Sequence, residues 1–145
     1  MKTLILLLMI TAIAIGAVAQ EIPVIVQSSF ESSYPGAENV DWEKQDKGGK
    51  TQYTVEYKME NAKHIAQYDV SGNLIQHKVA LTEEDLPMAI RTTMINHYKD
   101  YKVGDTYKVE MAKSTIYTVM LNGKEDKLVS FDEFGNVLSM QKAKK

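Results

Sequence analysis

The chain has 145 residues, 44% of them hydrophobic, a formal net charge of −2 and no cysteine. This charge balance excludes a strongly basic nucleic-acid-binding protein, because phosphate contacts need a cationic surplus or patch. The lack of cysteine excludes a disulfide scaffold. Low glycine and proline contents, 8 and 3 residues, exclude collagen-like and linker-like chains.

The beginning of the chain has the pattern of a secretory signal peptide. Lys2 supplies a short positive region, residues 4–15 are almost all apolar, and Ala17-Val18-Ala19 matches a small-x-small cleavage site. The apolar run is shorter than the roughly 20 residues that span a bilayer. Bacterial lipoproteins are acylated on a cysteine, so that alternative is excluded as well. We therefore expect cleavage after Ala19 and a periplasmic or secreted protein that does not insert into a membrane.

Two similar units follow the signal peptide. A Tyr-Thr-Val motif at 53–55 recurs at 117–119, and an Asp-x-x-Gly-Asn motif at 69–73 recurs at 132–136. The offsets of 64 and 63 residues describe a constant spacing with one deletion, which is typical of an internal repeat.

The repeat divides the chain into a signal peptide at 1–19, a first repeat at 20–80 and a second at 81–145. A single unit of about 60 residues is only marginally stable, because it buries little surface. We therefore expect the two repeats to form one compact domain, with a shared core or one continuous sheet.

Each repeat is predicted to open with an amphipathic helix. Apolar residues recur every four positions, as Ile22, Val26, Phe30 and Tyr34 in the first repeat and as Leu86, Ile90, Met94 and Tyr98 in the second. Pro23 and Pro87 fit the first helical turn, where a missing N–H costs little. Pro35-Gly36 ends the first helix.

Four strands are predicted after each helix. They lie at 40–46, 51–58, 63–69 and 73–79, and then at 101–111, 115–121, 127–132 and 136–141. Gly72 and Gly135 supply the positive φ that closes the last hairpin of each repeat. We therefore predict an α+β fold of two tandem repeats, each one helix followed by a four-stranded antiparallel sheet.

The order of these motifs resembles a known family. Tyr-Pro-Gly-Ala at 34–37, Val-Asp-Trp-Glu at 40–43, Tyr-Thr-Val-Glu at 53–56 and the Asp-x-x-Gly-Asn motif at 69–73 are similar to the PepSY-like, beta-lactamase-inhibitor-like exported proteins. The resemblance covers residues 21–142 in two copies, and the second copy lacks the Pro-Gly and the tryptophan. It implies small secreted or periplasmic binding domains without a catalytic residue, and it implies inhibition of a protein or protease only by analogy of fold.

The sequence offers no catalytic or metal-binding pattern. There is no cysteine, no Gly-x-Ser-x-Gly elbow and no Gly-rich phosphate loop. His64, His77 and His97 are 13 and 20 residues apart, unlike a helical zinc pair. If Asp69 pairs with Asn73 across their turn, alternation directs His64 and His77 to opposite faces of the sheet. We predict a protein that is not an enzyme and that has no cofactor and no metal.

Aromatic residues are the candidate binding groups. Trp42, Tyr57 and Tyr107 lie on predicted strands, where a place in the core is the alternative for each of them. The hairpin strands carry apolar residues on both faces, whereas a sheet covered by one helix layer is usually polar on its free face. We predict an exported binding module that uses its sheet face and loops, with these three residues as the protein-binding set. The alternative is a structural or envelope-associated protein that homodimerises through the sheet.

Overall fold

The computed structural model describes residues 21–143. The signal peptide and its cleavage after Ala19 lie outside these residues and stay predictions. The helices and strands are α1 (Val24–Ser33), β1 (Glu38–Lys47), β2 (Lys50–Met59), β3 (Ala62–Asp69), β4 (Leu74–Leu81), α2 (Met88–His97), β5 (Lys102–Met111), β6 (Ser114–Asn122), β7 (Lys127–Phe131) and β8 (Val137–Lys142). A single 3-10 turn, Glu83–Asp85, precedes α2.

The strands of residues 21–143 form one antiparallel sheet in the order β1 to β8. This confirms the predicted α+β class and the antiparallel pairing. Of the two arrangements expected for the four-stranded units, a shared core or one continuous sheet, the structure has the continuous sheet, because β4 pairs with β5, where Lys78 lies opposite Val109. The ends of the strands differ from the predicted ones by at most two residues.

Both helices cover the same face of the sheet. Residues that are paired directly across neighbouring strands share a face, and one such row runs through Tyr57, His64, Val79, Lys108, Tyr117 and Phe131. Its first member packs in the core under α1 and its last in the core under α2. We call this side the helix-covered face, and the other side the open face.

The hydrophobic core has two parts, one under each helix. The first is rich in aromatic residues and comprises Val26, Phe30, Tyr53, Val55, Tyr57, Ala66 and Tyr68. The second is mainly aliphatic and comprises Leu86, Ile90, Met94, Val119, Leu121, Val129 and Phe131. Both helices therefore contribute their predicted apolar stripes to the core.

The ends of the helices follow the sequence signals closely. Pro23 and Pro87 are the N-cap residues, one position before the predicted first turn. The helix α1 ends where the Tyr34 N–H donates to the carbonyl of Phe30 at 2.9 Å, directly before Pro35.

The turns β3–β4 and β7–β8 have the same construction. In the first, the amides of Ser71 and Asn73 each donate to Asp69 Oδ1 at 2.9 Å. In the second, two amides donate in the same way to Asp132 Oδ1, again at 2.9 Å. These hydrogen-bonded turns fix the direction in which the last strand of each half leaves.

A glycine in each of these turns lies against a helix. Gly72 and Gly135 have φ of +80° and +83°, which confirms the predicted positive φ. A Cβ added to Gly135 would be 2.6 Å from the carbonyl oxygen of Ala89, and one added to Gly72 would be 2.9 Å from that of Ile25. The backbone of each turn therefore packs directly on the helix of its own half.

Candidate functional site

The three residues predicted to bind a partner lie in three different environments. Trp42 is half-buried on the helix-covered face, where it is paired with Val55 of β2. Tyr57 is only 2% exposed and belongs to the core under α1. Tyr107 is half-buried on the open face of β5. The structure therefore does not bring them together into one patch.

The assignment of Tyr57 to a binding surface is corrected. Its ring packs edge-on against Phe30 at a centroid distance of 5.0 Å, and it packs in a tilted arrangement against Tyr34 at 5.1 Å. Burial raises the pKa of the Tyr57 hydroxyl far above its usual range. The alternation of Tyr53, Val55 and Tyr57 marks the face under the helix, so the core interpretation applies to this residue.

His64 and His77 are neighbours, contrary to the prediction that they point to opposite faces. His64 is paired with Val79 and His77 with Ala66, so both lie on the helix-covered face. The register shifts between Gln67 and Tyr68. One extra residue in a strand reverses which side chains share a face, and the prediction assumed a regular hairpin.

The histidine pair is part of a polar cluster at the middle of the sheet. His64 Nδ1 and His77 Nε2 are 3.1 Å apart, and the Tyr57 hydroxyl is also 3.1 Å from His77 Nε2. His64 Nε2 donates to the carbonyl of Met59, and His77 Nδ1 donates to Glu110 Oε2 at 3.2 Å. When both histidines are neutral, His64 Nε2 and His77 Nδ1 carry the protons. His77 Nε2 is then an acceptor, and the Tyr57 hydroxyl donates to it.

The pKa values of His64 and Glu110 in this cluster are shifted by burial and by their charged neighbours. Burial lowers the pKa of His64, and the neighbouring His77 lowers it further. The pKa of Glu110 is lowered first by the hydrogen bond from Lys108, at 2.6 Å, and then by the one from His77. The cluster joins β3, β4 and β5, and therefore links the two halves of the sheet.

The open face carries an apolar patch over β5 to β7. Its members are Tyr107, Val109, Ile116, Met120 and Leu128, which we call the open-face patch. Val109 is only 3% exposed, because its neighbours on the sheet surround it, and the other four are half-buried. Of the helices within residues 21–143, both pack on the opposite face. Of these five residues only Tyr107 was among the predicted site residues, although the alternation with Tyr117 and Val119 could have identified Ile116 and Met120.

Charged groups border the open-face patch on the β2–β3 side. Lys63 pairs with Glu56 at 2.8 Å, and both side chains are about half exposed. The pKa of Lys63 is raised, first by this hydrogen bond, with smaller contributions from Tyr107 and Asp105. The apolar members of the patch therefore lie on either side of a row in which Tyr107 pairs with Thr118 and Thr118 with Ser130, and charges of both signs border the patch.

Trp42 lines a separate groove between α1 and β1. Its ring packs edge-on against Phe30 at a centroid distance of 5.4 Å. The groove has a volume of about 600 Å³, and its other lining residues include Tyr34, Pro35 and Val40. It opens beside the first strand, away from the open-face patch.

The carboxylates with shifted pKa values have structural roles. Hydrogen bonds lower the pKa of Asp69, Asp85 and Asp132, donated mainly by Asn73, Thr82 and Asn136 respectively. A general acid needs a raised pKa instead. Within residues 21–143, no group of three His, Cys, Asp or Glu side chains is arranged to hold a metal ion.

Comparison with known proteins places this arrangement in a family. The family model described as "Putative beta-lactamase-inhibitor-like, PepSY-like" matches residues 11–76 and again residues 66–139. The chain belongs to this family. Among curated proteins, none matches the sequence.

Solved structures from Bacteroides share the fold at low sequence identity. A DUF2874 family protein from Bacteroides ovatus has a TM-score of 0.76 at 21% identity, with 84% of this chain and 88% of that chain covered. A protein from Bacteroides eggerthii described as "putative periplasmic" has a TM-score of 0.78 at 19% identity, with coverage of 84% and 89%. A BLIP-like protein from Bacteroides fragilis has a TM-score of 0.74 at 21% identity, with coverage of 84% and 86%.

The helices of residues 21–143 are too short and too polar to cross a membrane.

Proposed function

We propose that this protein is an exported, non-enzymatic binding module that holds a protein or peptide partner on its open-face patch. The observation that carries the proposal is the set of half-buried apolar side chains that the open face of β5 to β7 presents around Thr118. An antiparallel sheet covered by helices on one side is usually polar on the other. Contiguous apolar patches with polar rims mark interaction sites.

The composition of the open-face patch suits protein recognition. Tyrosine is enriched among the residues that dominate binding energies, and Tyr107 combines a large apolar ring with a polar tip. The neighbouring Lys63, Glu56 and Asp105 supply charges of both signs at the rim. Such charges orient a partner and exclude others more than they add affinity.

The family and one structural neighbour favour a protein as the partner. The family carries a beta-lactamase-inhibitor-like description, and one similar structure is a BLIP-like protein. Inhibition of an enzyme or protease by this chain is the finer form of the proposal, and it rests on likeness of fold alone.

The proposal includes tandem copies and export. The two family matches and the identical turns at Asp69 and Asp132 support repeats at 20–80 and 81–145. Removal of residues 1–19 follows from the sequence pattern alone. N-terminal sequencing of the exported protein should begin within a residue or two of Gln20, and an intact Met1 in the soluble fraction would contradict export.

Capture of partners from the periplasmic and secreted fractions tests the binding surface. Met120→Lys places a charge within the open-face patch, beside Leu128, and Thr54→Lys places the same charge on the open face of β2. We expect a partner that is retained by the original protein and by Thr54→Lys, and lost with Met120→Lys. Equal retention by both variants would move the binding surface elsewhere, with the Trp42 groove as the next candidate.

A further inference from the structure

The groove between α1 and β1 combines aromatic walls with a single charge. Its aromatic lining side chains are Phe30, Tyr34 and Trp42. The ring of Phe30 meets that of Trp42 edge to face at a centroid distance of 5.4 Å, and Tyr34 lies 5.6 Å from Phe30. Among the described residues that line the groove, Glu31 is the one charged side chain. The groove therefore offers ring surface and a carboxylate to a ligand.

Two hydrogen-bond acceptors on α1 border the groove. Gln27 and Glu31 both line it, and their spacing of four residues makes them neighbours on one face of the helix. Gln27 Nε2 donates to the carbonyl of Ile22 at 3.3 Å, which leaves the side-chain carbonyl oxygen as an acceptor. Within residues 21–143, the carboxylate of Glu31 forms no ion pair. Both side chains are exposed, so a ligand in the groove can reach their oxygens.

The segment that forms the groove is acidic throughout. Residues 21–43 contain five carboxylates and no lysine, arginine or histidine, although the whole chain has 17 basic residues against 19 acidic ones. The five are Glu21, Glu31, Glu38, Asp41 and Glu43. Charges within a Debye length of about 8 Å act together at physiological ionic strength. The field around the groove therefore attracts cations and repels anions.

The second half of the chain shows an aromatic cluster of this kind holding a cation. Tyr98, 64 positions after Tyr34, packs edge-on against Tyr101 at a centroid distance of 6.2 Å. The ammonium of Lys127 lies 5.2 Å from the centroid of the Tyr101 ring. This distance is within the roughly 6 Å of a cation–π contact. The aromatic residues at the end of α2 are thus occupied by a lysine of the same chain.

The two halves differ at the positions that define the groove. Glu31 and Trp42 correspond, at the offset of 64 residues, to Ile95 and Thr106. Trp42 and Thr106 hold the same place in the sheet, because each is paired with a valine of the next strand. The second half therefore forms its core without the carboxylate and without the indole. The acidic aromatic groove belongs to the first half alone and is not a requirement of the fold.

We propose that this groove binds an arginine side chain from a basic peptide segment of a partner protein. The guanidinium lies against the ring of Trp42 and donates hydrogen bonds to the carboxylate of Glu31 and the side-chain carbonyl of Gln27. Arginine suits the groove because its guanidinium is planar, stays charged, stacks on aromatic rings and presents five N–H donors.

The size and place of the groove fit a peptide segment rather than a folded domain. Its volume of about 600 Å³ holds one such side chain with parts of its neighbours in the peptide. It lies between α1 and the outer strand β1, so an extended segment can enter from the side of the sheet. The groove is separate from the open-face patch, and this inference does not rest on binding at that patch.

Trp42 reports on the groove directly, because it is the only tryptophan of the chain. Its emission can be followed while the exported protein is titrated with acetyl-Gly-Arg-Gly-Arg-Gly-amide. The same peptide with citrulline in place of arginine keeps the shape and removes the charge. We expect a saturable change of Trp42 emission with the arginine peptide, and binding of the citrulline peptide that is weaker by about tenfold. No saturable change, or equal binding of the two peptides, would overturn the proposal.

A matched pair of variants separates the groove from general attraction by charge. Glu31→Gln should raise the half-saturating concentration of the arginine peptide about fivefold and leave the melting temperature unchanged, because Glu31 is exposed. Glu133→Gln removes the same charge from an exposed position in the β7–β8 turn, and should change that concentration less than about twofold. Equal effects of the two substitutions would overturn the proposal.

A third variant keeps this test distinct from partner capture. Met120→Lys alters the open-face patch and should leave the titration of Trp42 unchanged. Loss of peptide binding in Met120→Lys would place the peptide on the open-face patch and would overturn the proposal for the groove.

Discussion

The two faces of the sheet contain similar apolar residues but differ in what covers them. On the helix-covered face, Val119, Val129 and Phe131 are fully buried under α2. On the open face of the same strands, Ile116, Met120 and Leu128 stay half-exposed. The difference separates two surfaces: the helix-covered face holds the fold together, and the open face is where we propose that a partner binds.

The largest losses of stability are expected on the helix-covered face. Phe131 is completely buried, so Phe131→Ala should cost about 3–5 kcal/mol of unfolding free energy, because it leaves a cavity. Chemical denaturation gives this value.

Tyr68, which occupies the matching place in the first half, provides a control. Its buried hydroxyl has no hydrogen-bond partner among the described residues. Tyr68→Phe removes only that group and should leave stability unchanged or higher. A loss below about 1 kcal/mol for Phe131→Ala would contradict the assignment of this face to the core.

The contact between a turn and a helix should be the next most sensitive feature. Gly135→Ala combines a positive φ with a Cβ 2.6 Å from a carbonyl oxygen, so we expect a loss of about 2–3 kcal/mol. Gly48 has a φ of +57° but no atom within 4 Å of an added Cβ, so Gly48→Ala should cost only about 1 kcal/mol. Thermal melts compare the two variants, and equal losses would show that the packing of the turn on α2 contributes nothing.

The loss of stability expected for truncation of Trp42 lies between that of a fully buried core residue and that of an exposed one. It is only half-buried, at the outer strand of the helix-covered face, so Trp42→Ala should cost about 2 kcal/mol, less than a fully buried tryptophan. Val40→Ala, at an exposed position on the same strand, should cost less than about 1 kcal/mol. A Trp42→Ala loss no larger than that of Val40→Ala would make Trp42 a surface anchor instead.

The histidine pair should make the helix-covered face sensitive to pH. The pKa of His64 is lowered on folding, so the unfolded chain binds its proton first as pH falls. Stability should therefore be complete above about pH 6.5, the unfolded value, and decline below it. The lowered pKa values of Asp69 and Asp132 act only at lower pH, below about 4.

Denaturation at pH 7 and pH 5 measures this dependence. His64→Gln should flatten it, and His97→Gln, at an exposed position, should not. A stability that is the same at both pH values in the unmodified protein would contradict the burial of a neutral His64.

The sequence was sufficient for the class of the fold and the positions of its elements. Alternation in β2 and the four-residue spacing in α1 are local signals, and so are the glycines of the turns at Gly72 and Gly135. These signals do not depend on contacts that are distant in the sequence.

What the sequence could not predict depends on register. One shift between Gln67 and Tyr68 brings His64 next to His77 and reverses the predicted arrangement. Tyr57 is a different case: alternation in β2 already grouped it with Tyr53 and Val55, but its residue type suited a binding surface as well as a core. The joining of β4 to β5 was one of two alternatives, because no local signal decides how two units meet.

The unfolding free energies of Tyr107→Ala and Tyr117→Ala test the division between the two faces most directly. Both tyrosines are half-buried, on adjacent strands, and they differ in the face that they occupy. We expect Tyr117→Ala, which loses packing against the core under α2, to cost at least about 2 kcal/mol. Tyr107→Ala should cost no more than about 1 kcal/mol. A loss for Tyr107→Ala as large as that for Tyr117→Ala would show that the open face stabilises the fold, and would contradict the proposal that this face is free to bind a partner.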